Sequence, residues 1–218
     1  MDVVHAGTLS PIVVLRPVFR WLLWTAVAAV VVAVAGAVAL FSGSTVACDE
    51  QGGDAGPALR CAFQVAADRE AVWAGFVSTG EPRPYYFDAV LQADLRPGGR
   101  WRFVTDDLQR LLAGGEILVL EPPRRFAQTF AAADLDDAPS RITVELEAVP
   151  GGTSVVLVHD GFAVETTTYR RFRRAHPLAL SAMKSWLESG ELPLRARIYT
   201  AIFKPGMKSV SARAEPWR

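Results

Sequence analysis

The chain has 218 residues, half of them apolar, and its 23 basic residues balance its 23 acidic ones. Because it lacks the basic excess of most nucleic-acid-binding proteins, no nucleic-acid partner is predicted. The high apolar fraction argues against an intrinsically disordered chain, and the length allows one or two domains. The only two cysteines are Cys48 and Cys61, and the sequence leaves open whether they form a disulfide bond.

Residues 1–20 form a short N-terminal lead, and residues 21–41 contain no charged side chain. About twenty helical residues span the hydrocarbon layer of a bilayer, which is about 30 Å thick. Trp21 and Trp24 lie where an interfacial aromatic belt would be. We therefore predict a transmembrane helix at 21–41, with the lipid bilayer as its partner. The alternative is a cleaved signal peptide, but the apolar core of such a peptide is usually about 7–15 residues long.

The orientation of this helix follows from its charged flanks. Arg16 and Arg20 precede the apolar run, and basic residues favour the cytoplasmic side. The sequence thus predicts a single-pass membrane protein with a cytoplasmic N-terminus and an extracytoplasmic domain. Residues 42–57 are rich in glycine, acidic and small residues, which predicts a flexible linker before a domain at 58–190.

The domain is predicted to begin with a strand and a helix, and to continue as an antiparallel meander. Asp68 is placed to cap the first helix. The turns at Pro97-Gly98-Gly99 and Pro150-Gly151-Gly152 each join two strands, and Gly114-Gly115 is interpreted as another turn. Alternating apolar and polar residues predict strands at 59–66, 88–95, 100–105, 116–120, 126–130, 142–149 and 153–159.

Residues 177–187 predict a long final helix. Pro177 suits a first helical position, Gly190 suits the residue after the last turn, and Ser181 is assigned to the polar face. The opposite face is apolar and must be buried on another element. These patterns predict an α+β fold in which a curved antiparallel sheet surrounds a C-terminal helix. The basic tail at 191–218 could lie on the domain or on an anionic bilayer surface.

This order of elements resembles the START-like helix-grip superfamily, also called SRPBCC. Within it, the chain is most similar to the family homologous to the activator of heat-shock-protein-90 ATPase. The resemblance covers about residues 58–190; an N-terminal membrane anchor and a basic tail are departures from the family pattern. The motifs that carry it are Ala66-Ala67-Asp68-Arg69-Glu70-Ala71-Val72-Trp73, Leu95-Arg96-Pro97-Gly98-Gly99-Arg100-Trp101-Arg102-Phe103, Gly115-Glu116-Ile117, Glu121-Pro122-Pro123-Arg124-Arg125-Phe126, Gly151-Gly152-Thr153 and Val158-His159-Asp160-Gly161-Phe162.

The resemblance implies a cavity between the sheet and the C-terminal helix, where relatives hold apolar ligands. A hydrophobic small molecule is therefore the expected partner, bound without catalysis, although ordinary core packing would explain the same aromatic residues. A protein partner, as for a co-chaperone-like interaction module, is the alternative function, and a cyclase-like or hydrolase-like enzyme is a third. The candidate lining residues are Tyr85, Tyr86, Phe87, Trp101, Phe103, Phe130, Met183 and Trp186.

Other polar motifs have weaker functional interpretations. His159-Asp160 could act in acid–base chemistry, but neighbours in a strand point to opposite faces. His5, His159 and His176 are scattered, so no metal site is predicted, and no glycine motif indicates a nucleotide or other cofactor. The basic run at 170–174 is interpreted as an exposed, solvated lead-in to the final helix.

Overall fold

The computed structural model describes residues 24–32, 46–52, 56–210 and 212–217. The chain forms two compact units, Met1–Gly43 and Ser44–Arg218. In the first unit, residues 24–32 are helical (α1) and have exposed side chains. The rest of the predicted transmembrane segment 21–41, and the lead at 1–20, lie outside the described residues. None of the helices in the described ranges is long and apolar enough to cross a membrane.

The second unit is built on one antiparallel sheet. Its strands are β1 (Cys48–Gln51), β2 (Ala58–Val65), β3 (Pro82–Arg83), β4 (Ala89–Ala93), β5 (Arg100–Val104), β6 (Arg110–Glu121), β7 (Arg125–Ala132), β8 (Ser140–Val149), β9 (Gly152–Asp160) and β10 (Ala212–Arg213). They lie in the order β1-β2-β9-β8-β7-β6-β5-β4-β3, and β10 pairs with β6 beside this path.

The predicted strands are present, with shifted ends. The largest difference is at β6, which already begins at Arg110, so Gly114-Gly115 lies inside a strand and not in a turn. A Cβ on Gly115 would lie 2.2 Å from the carbonyl oxygen of Thr129 on the neighbouring strand β7. The glycine is therefore required by the close approach of two strands, which a local sequence pattern does not reveal.

The segment before β2 is part of the domain. Strand β1 pairs with β2 so that Cys48 lies directly opposite Cys61, and the two form a disulfide bond. The backbone N–H of Val46 donates to the Ser181 hydroxyl at 3.1 Å, and Val46 is buried. The prediction of a flexible linker over 42–57 is thus wrong for β1, because the disulfide and sheet pairing hold this strand on the domain.

Three helices belong to this unit: α2 (Arg69–Val77), α3 (Thr167–Ser189) and α4 (Leu194–Val210). Asp68 caps α2 as predicted, because its carboxylate accepts the N–H of Ala71 at 2.7 Å. A short 3-10 helix, Pro84–Tyr86, follows β3. Helix α3 contacts both β1 and β2 at one end of the strand order and the 3-10 helix beside β3 at the other. The sheet therefore curves around α3, as predicted.

Helix α3 begins ten residues earlier than predicted. Thr166 caps it by accepting the N–H of Tyr169 at 3.1 Å, so Pro177 lies in the helix interior and not at its first position. Gly190 ends the helix with φ 72°, which confirms the predicted left-handed residue. Ser181 is buried and not on a polar face. Its hydroxyl donates a hydrogen bond to the Pro177 carbonyl at 2.6 Å and accepts one from the N–H of Val46. The hydroxyl therefore has both a donor and an acceptor partner inside the protein.

The C-terminal tail lies against the domain. Strand β10 pairs with residues 110–111 of β6, and the N–H of Ala214 donates to the carbonyl of Gln109 at 2.8 Å. On α4, Lys204 forms ion pairs with Asp88 and Asp106. The side chains of Leu194, Ile202 and Phe203 stay exposed.

Candidate functional site between the sheet and helix α3

Five of the eight candidate lining residues form one aromatic layer between the sheet and α3. The ring centroids of Trp101 and Phe103 on β5 are 5.6 Å apart, and Phe130 on β7 is 6.0 Å from Trp101. Tyr86 contacts Phe103 at 5.8 Å, and its hydroxyl lies 3.9 Å from the sulfur of Met183 on α3. These residues come together because Trp101 and Phe103 are two positions apart on a strand and so share its inner face.

The other three candidates have different surroundings. Tyr85 is buried, and its hydroxyl donates to the carbonyl of Gly75 on α2 at 2.7 Å. Phe87 has a left-handed backbone, φ 59°, and contacts Tyr199 of α4 at 5.6 Å, on the side of the tail. Trp186 is partly buried and packs at the margin of the core.

Arg83 adds a buried positive charge beside this layer. Its guanidinium donates to the carbonyls of Phe76 and Ser78 at the C-terminal end of α2, and its Cζ lies 5.4 Å from the centroid of Phe103. Burial lowers the pKa of Arg83, and the nearby tyrosines oppose that shift. No carboxylate among the described residues forms an ion pair with it. Sequence reasoning missed this residue, although its place between Pro82 and Pro84 in an aromatic segment is a signal for a buried role.

The tyrosine hydroxyls beside Arg83 are held neutral. Burial is the main cause of the raised pKa of Tyr86, Tyr85 adds to it, and Arg83 opposes it. Burial also raises the pKa of Tyr85. The 3-10 helix thus presents the neutral phenol of Tyr86 to the layer, while the Tyr85 hydroxyl is bonded to Gly75. Such groups donate hydrogen bonds and can orient the polar end of an otherwise apolar ligand.

A hydrogen-bonded chain of three buried side chains lies at the other end of the layer. The hydroxyl of Ser140 is 2.8 Å from Nε2 of His159, and Nδ1 of His159 is 2.9 Å from Nε2 of His176. Phe130, Phe162 and Phe172 surround the His159 ring. Burial lowers the pKa of both histidines, and the mutual proximity of the rings lowers that of His159 further.

This arrangement confirms one sequence interpretation, that His159 and Asp160 point to opposite faces of their strand, and corrects another. Asp160 points away from His159 and forms a bidentate ion pair with Arg141, so the two neighbours do not act together. The three histidines were considered scattered, yet His176 of α3 meets His159 of β9. The sequence did contain one indication that His176 is buried. It lies four residues after Phe172 and four before Leu180, on the apolar stripe of the helix.

The basic run 170–174 lies within the first turns of α3. Arg171 forms a bidentate ion pair with Asp134, and Arg173 pairs with Glu50 of β1 at 3.1 Å. The Arg171 guanidinium lowers the pKa of Asp134. The run is mostly exposed, as predicted, but it belongs to the helix and does not precede it, and acidic partners from distant parts of the chain pair with two of its arginines. In the described ranges, no cluster of three or more His, Cys, Asp or Glu is arranged to hold a metal ion.

Two cavities are described, and both open to the surface. One, of about 470 Å³, lies between β5, β6 and the C-terminal peptide; the other, of about 450 Å³, lies beside the N-terminus of α2. Of the candidate lining residues, only Trp101 borders either of them. Within the inner aromatic layer the ring centroids of neighbouring side chains are 5.6–6.0 Å apart, so these side chains pack against one another.

A large antiparallel sheet closed over a long C-terminal helix defines the class of α+β helix-grip domains. The family described as "Activator of Hsp90 ATPase homolog 1-like protein" matches residues 66–188, more than half of the chain. The chain belongs to this family. No curated protein matches the chain at a significant level.

Solved structures share the fold at low sequence identity. EF2215 from Enterococcus faecalis, described as a conserved protein of unknown function, has a TM-score of 0.53 at 12% identity over 76% of this chain and 92% of that one. MLL2253 from Mesorhizobium loti has a TM-score of 0.52 at 19% identity over 62% and 99%. CalU16 from Micromonospora echinospora has a TM-score of 0.49 at 21% identity over 76% and 96%. At such identities the first two similarities establish the fold alone.

Proposed function

We propose that the domain binds a hydrophobic small molecule between the sheet and α3, with the polar end of the ligand at the hydroxyl of Tyr86. The observation that supports this proposal is the poor hydrogen bonding of that hydroxyl. Its only hydrogen-bond partner among the described residues is the thioether sulfur of Met183, at 3.9 Å. A thioether is a weak acceptor, whereas a buried tyrosine hydroxyl normally has a strong partner.

The surroundings of Tyr86 indicate which ligand chemistry would suit it. A fully buried polar group without a good partner costs about 1–3 kcal/mol, and because Tyr86 is partly buried, a ligand oxygen accepting from its hydroxyl would recover at most that amount. The guanidinium of Arg83, beside Phe103, makes the local potential positive and favours a ligand with an acceptor or an anionic end. Met183 can give way, because its unbranched side chain adopts many conformations.

Tyr86→Phe tests the proposal, because the same change should have opposite effects on stability and binding. Removal of a poorly bonded hydroxyl should leave the thermal midpoint of the ligand-free protein unchanged or slightly raised. It should weaken retention of a fatty-acid probe, cis-parinaric acid, about fivefold or more in a fluorescence titration. Native mass spectrometry of the purified protein should also show a retained apolar ligand that Tyr86→Phe reduces.

The matched control is Tyr199→Phe, which removes a hydroxyl from α4 and should leave probe affinity unchanged. Equal affinity of the native protein and Tyr86→Phe would contradict the assignment of Tyr86. A native protein that takes up neither probe nor cellular ligand would contradict the carrier function itself.

A protein-interaction module is the second candidate, and family membership is the observation that favours it. The description of the family names an activator of the Hsp90 ATPase. The exposed apolar side chains of Leu194, Ile202 and Phe203 on α4 offer a surface for such a contact. Substitution of all three by serine should abolish binding of a protein partner but leave the retained ligand unchanged, which separates the two functions.

We further propose that residues 21–41 anchor this domain in a membrane, with the domain on the extracytoplasmic side. The support is the charge-free run of apolar residues and the disulfide between Cys48 and Cys61. Disulfides persist mainly in oxidising compartments, so the bond favours a domain outside the cytoplasm.

A further inference from the structure

The larger surface cavity is a groove on the outer face of the sheet. Its lining includes Arg100, Arg102 and Trp217. The two arginines alternate along β5 with the buried Trp101, so their side chains point away from the aromatic layer. The groove therefore lies on the opposite face of the sheet from the proposed ligand site, and Trp101 is the candidate lining residue that borders both.

The C-terminal peptide completes the groove. The Trp217 ring lies over both guanidinium groups, with its centroid 4.9 Å from Cζ of Arg102 and 5.9 Å from Cζ of Arg100. One Nη of Arg102 donates to the carbonyl of Glu215 at 2.6 Å, and its Nε donates to the side chain of Gln92 at 2.8 Å. The tail and the sheet thus hold Arg102 in a fixed orientation facing the groove.

Neither guanidinium forms an ion pair within the part of the chain that the structure describes. Glu116 is the cross-strand neighbour of Arg100, but no carboxylate of the described residues lies within 4 Å of either arginine. Burial lowers the pKa of Arg102, the positive charge of Arg100 lowers it further, and the Glu215 carboxylate, which also lines the groove, opposes the shift. Two like charges that face one groove repel each other, so an anion bound between them would be stabilised by both.

We propose that this groove binds a small organic anion in which a carboxylate or phosphate is attached to a flat apolar ring. Guanidinium groups recognise either anion through paired N–H donors, and the indole of Trp217 with Leu111 provides an apolar wall. Gly114 and Gly115 leave the floor of the groove without side chains. The volume of about 470 Å³ is within the usual range for small-molecule sites, roughly 300–1,000 Å³.

The site couples ligand binding to docking of the tail. Because Trp217 and Glu215 belong to the C-terminal peptide, the complete groove exists only while that peptide lies on the sheet. A ligand that binds the docked form alone must stabilise it. The N–H of Ala214, bonded to Gln109, reports on this state, since it exchanges with solvent when the peptide detaches.

The test uses the full chain in nonionic detergent, labelled with 5-fluorotryptophan so that Trp217 gives its own fluorine resonance. Trp217→Phe identifies that resonance. Benzoate and phenyl phosphate should each shift it saturably, whereas inorganic phosphate should bind at least tenfold more weakly and benzyl alcohol should have no effect. A stronger response to benzoate would assign a carboxylate ligand, and a stronger response to phenyl phosphate would assign a phosphate. Benzoate should also slow amide hydrogen exchange at Ala214.

The variant Arg100→Gln should weaken benzoate binding about tenfold. Arg124→Gln, an equally exposed arginine in the turn between β6 and β7, is the matched control and should change nothing. Arg100 is exposed, and its substitution is not expected to affect folding. Absence of a saturable shift at Trp217, or equal affinity in Arg100→Gln and native protein, would overturn the proposal and leave the carrier function untouched.

Discussion

At the scale of single residues, Ser140, His159 and His176 form a buried hydrogen-bonded chain within the core. It joins β8, β9 and α3, so it links the sheet to the helix by hydrogen bonds as well as by apolar contacts. Its side chains are at least nine-tenths buried, and Ser140 also donates to the carbonyl of Phe130. Neutral imidazoles satisfy this arrangement, but an added proton would leave a charge in an apolar environment.

We therefore predict that acid destabilises the domain through these two histidines. Their pKa values are lowered in the folded state, whereas in the unfolded chain each titrates near pH 6.5. The unfolded state thus binds more protons as the pH falls below about 6.5, and stability present above that pH is lost. Between pH 7.5 and 5.5 the loss in free energy of unfolding should be about 1.4 kcal/mol for each histidine, measured by urea denaturation.

The control for this prediction is the double variant His159→Phe/His176→Leu. It removes both titrating groups, and Ser140 keeps the Phe130 carbonyl as its partner. Its free energy of unfolding should vary much less over the same pH range. Parallel pH profiles for the variant and the native domain would show that the histidines are not responsible.

At the scale of elements, the features that the sequence predicted correctly are turns and helix ends, which depend on residues close together in the chain. Gly98 and Gly151 have positive φ in the turns that the Pro-Gly-Gly motifs indicated, and Asp68 caps α2. The start of α3 was predicted wrongly, because Pro177 was assigned to its first position, although the cap at Thr166 is local; the N–H of Thr168 is also bonded to Asp137, 31 residues away. Strands β1 and β10 were missed because each exists only through its partner strand.

The candidate site also has a part that the sequence predicted and a part that it did not. The aromatic layer was predictable from large apolar residues on strands and on α3, and Tyr86, Trp101 and Met183 belong to it. The polar groups were not, because Arg83 and His176 acquire their roles from partners that only folding brings near. Phe87 was included because of its neighbours in sequence, but its left-handed backbone places it against Tyr199 instead.

The contact between α2 and α3 gives a test at this scale. A Cβ on Gly75 would lie 3.2 Å from Cε of Met183 and 3.3 Å from Cδ1 of Leu187, so the helices approach closely at this glycine. Gly75→Val should crowd both side chains and reduce the free energy of unfolding by about 1–3 kcal/mol. Ala74→Val, on the exposed side of α2, is the matched control and should cost less than about 1 kcal/mol. Equal losses for the two variants would show that the helices are not tightly packed at Gly75.

At the scale of the whole molecule, both ends of the second unit are fastened to its sheet. The N-terminal end is fixed by the disulfide to β2 and by the bond from Val46 to Ser181. The C-terminal end is fixed by β10 on β6 and by the ion pairs of Lys204 with Asp88 and Asp106. Strands β1 and β10 have only four and two residues and depend on partners far away in the chain, which is why both ends were interpreted as appendages.

The N-terminal attachment also tests where the domain resides. Under the proposed topology the domain folds in an oxidising compartment, so Cys48 and Cys61 should be joined in the cell. When cells are treated with N-ethylmaleimide before lysis, mass spectrometry should find full-length protein without added maleimide, and two labels only after reduction. Loss of the bond in Cys48→Ser/Cys61→Ser should lower the free energy of unfolding by roughly 2–4 kcal/mol, because the bond closes a short loop of the unfolded chain. Two free thiols in freshly quenched cells would place the domain in a reducing compartment and contradict the outward topology. Recovery of a chain that begins near residue 48 would instead show that the apolar run is removed as a signal peptide.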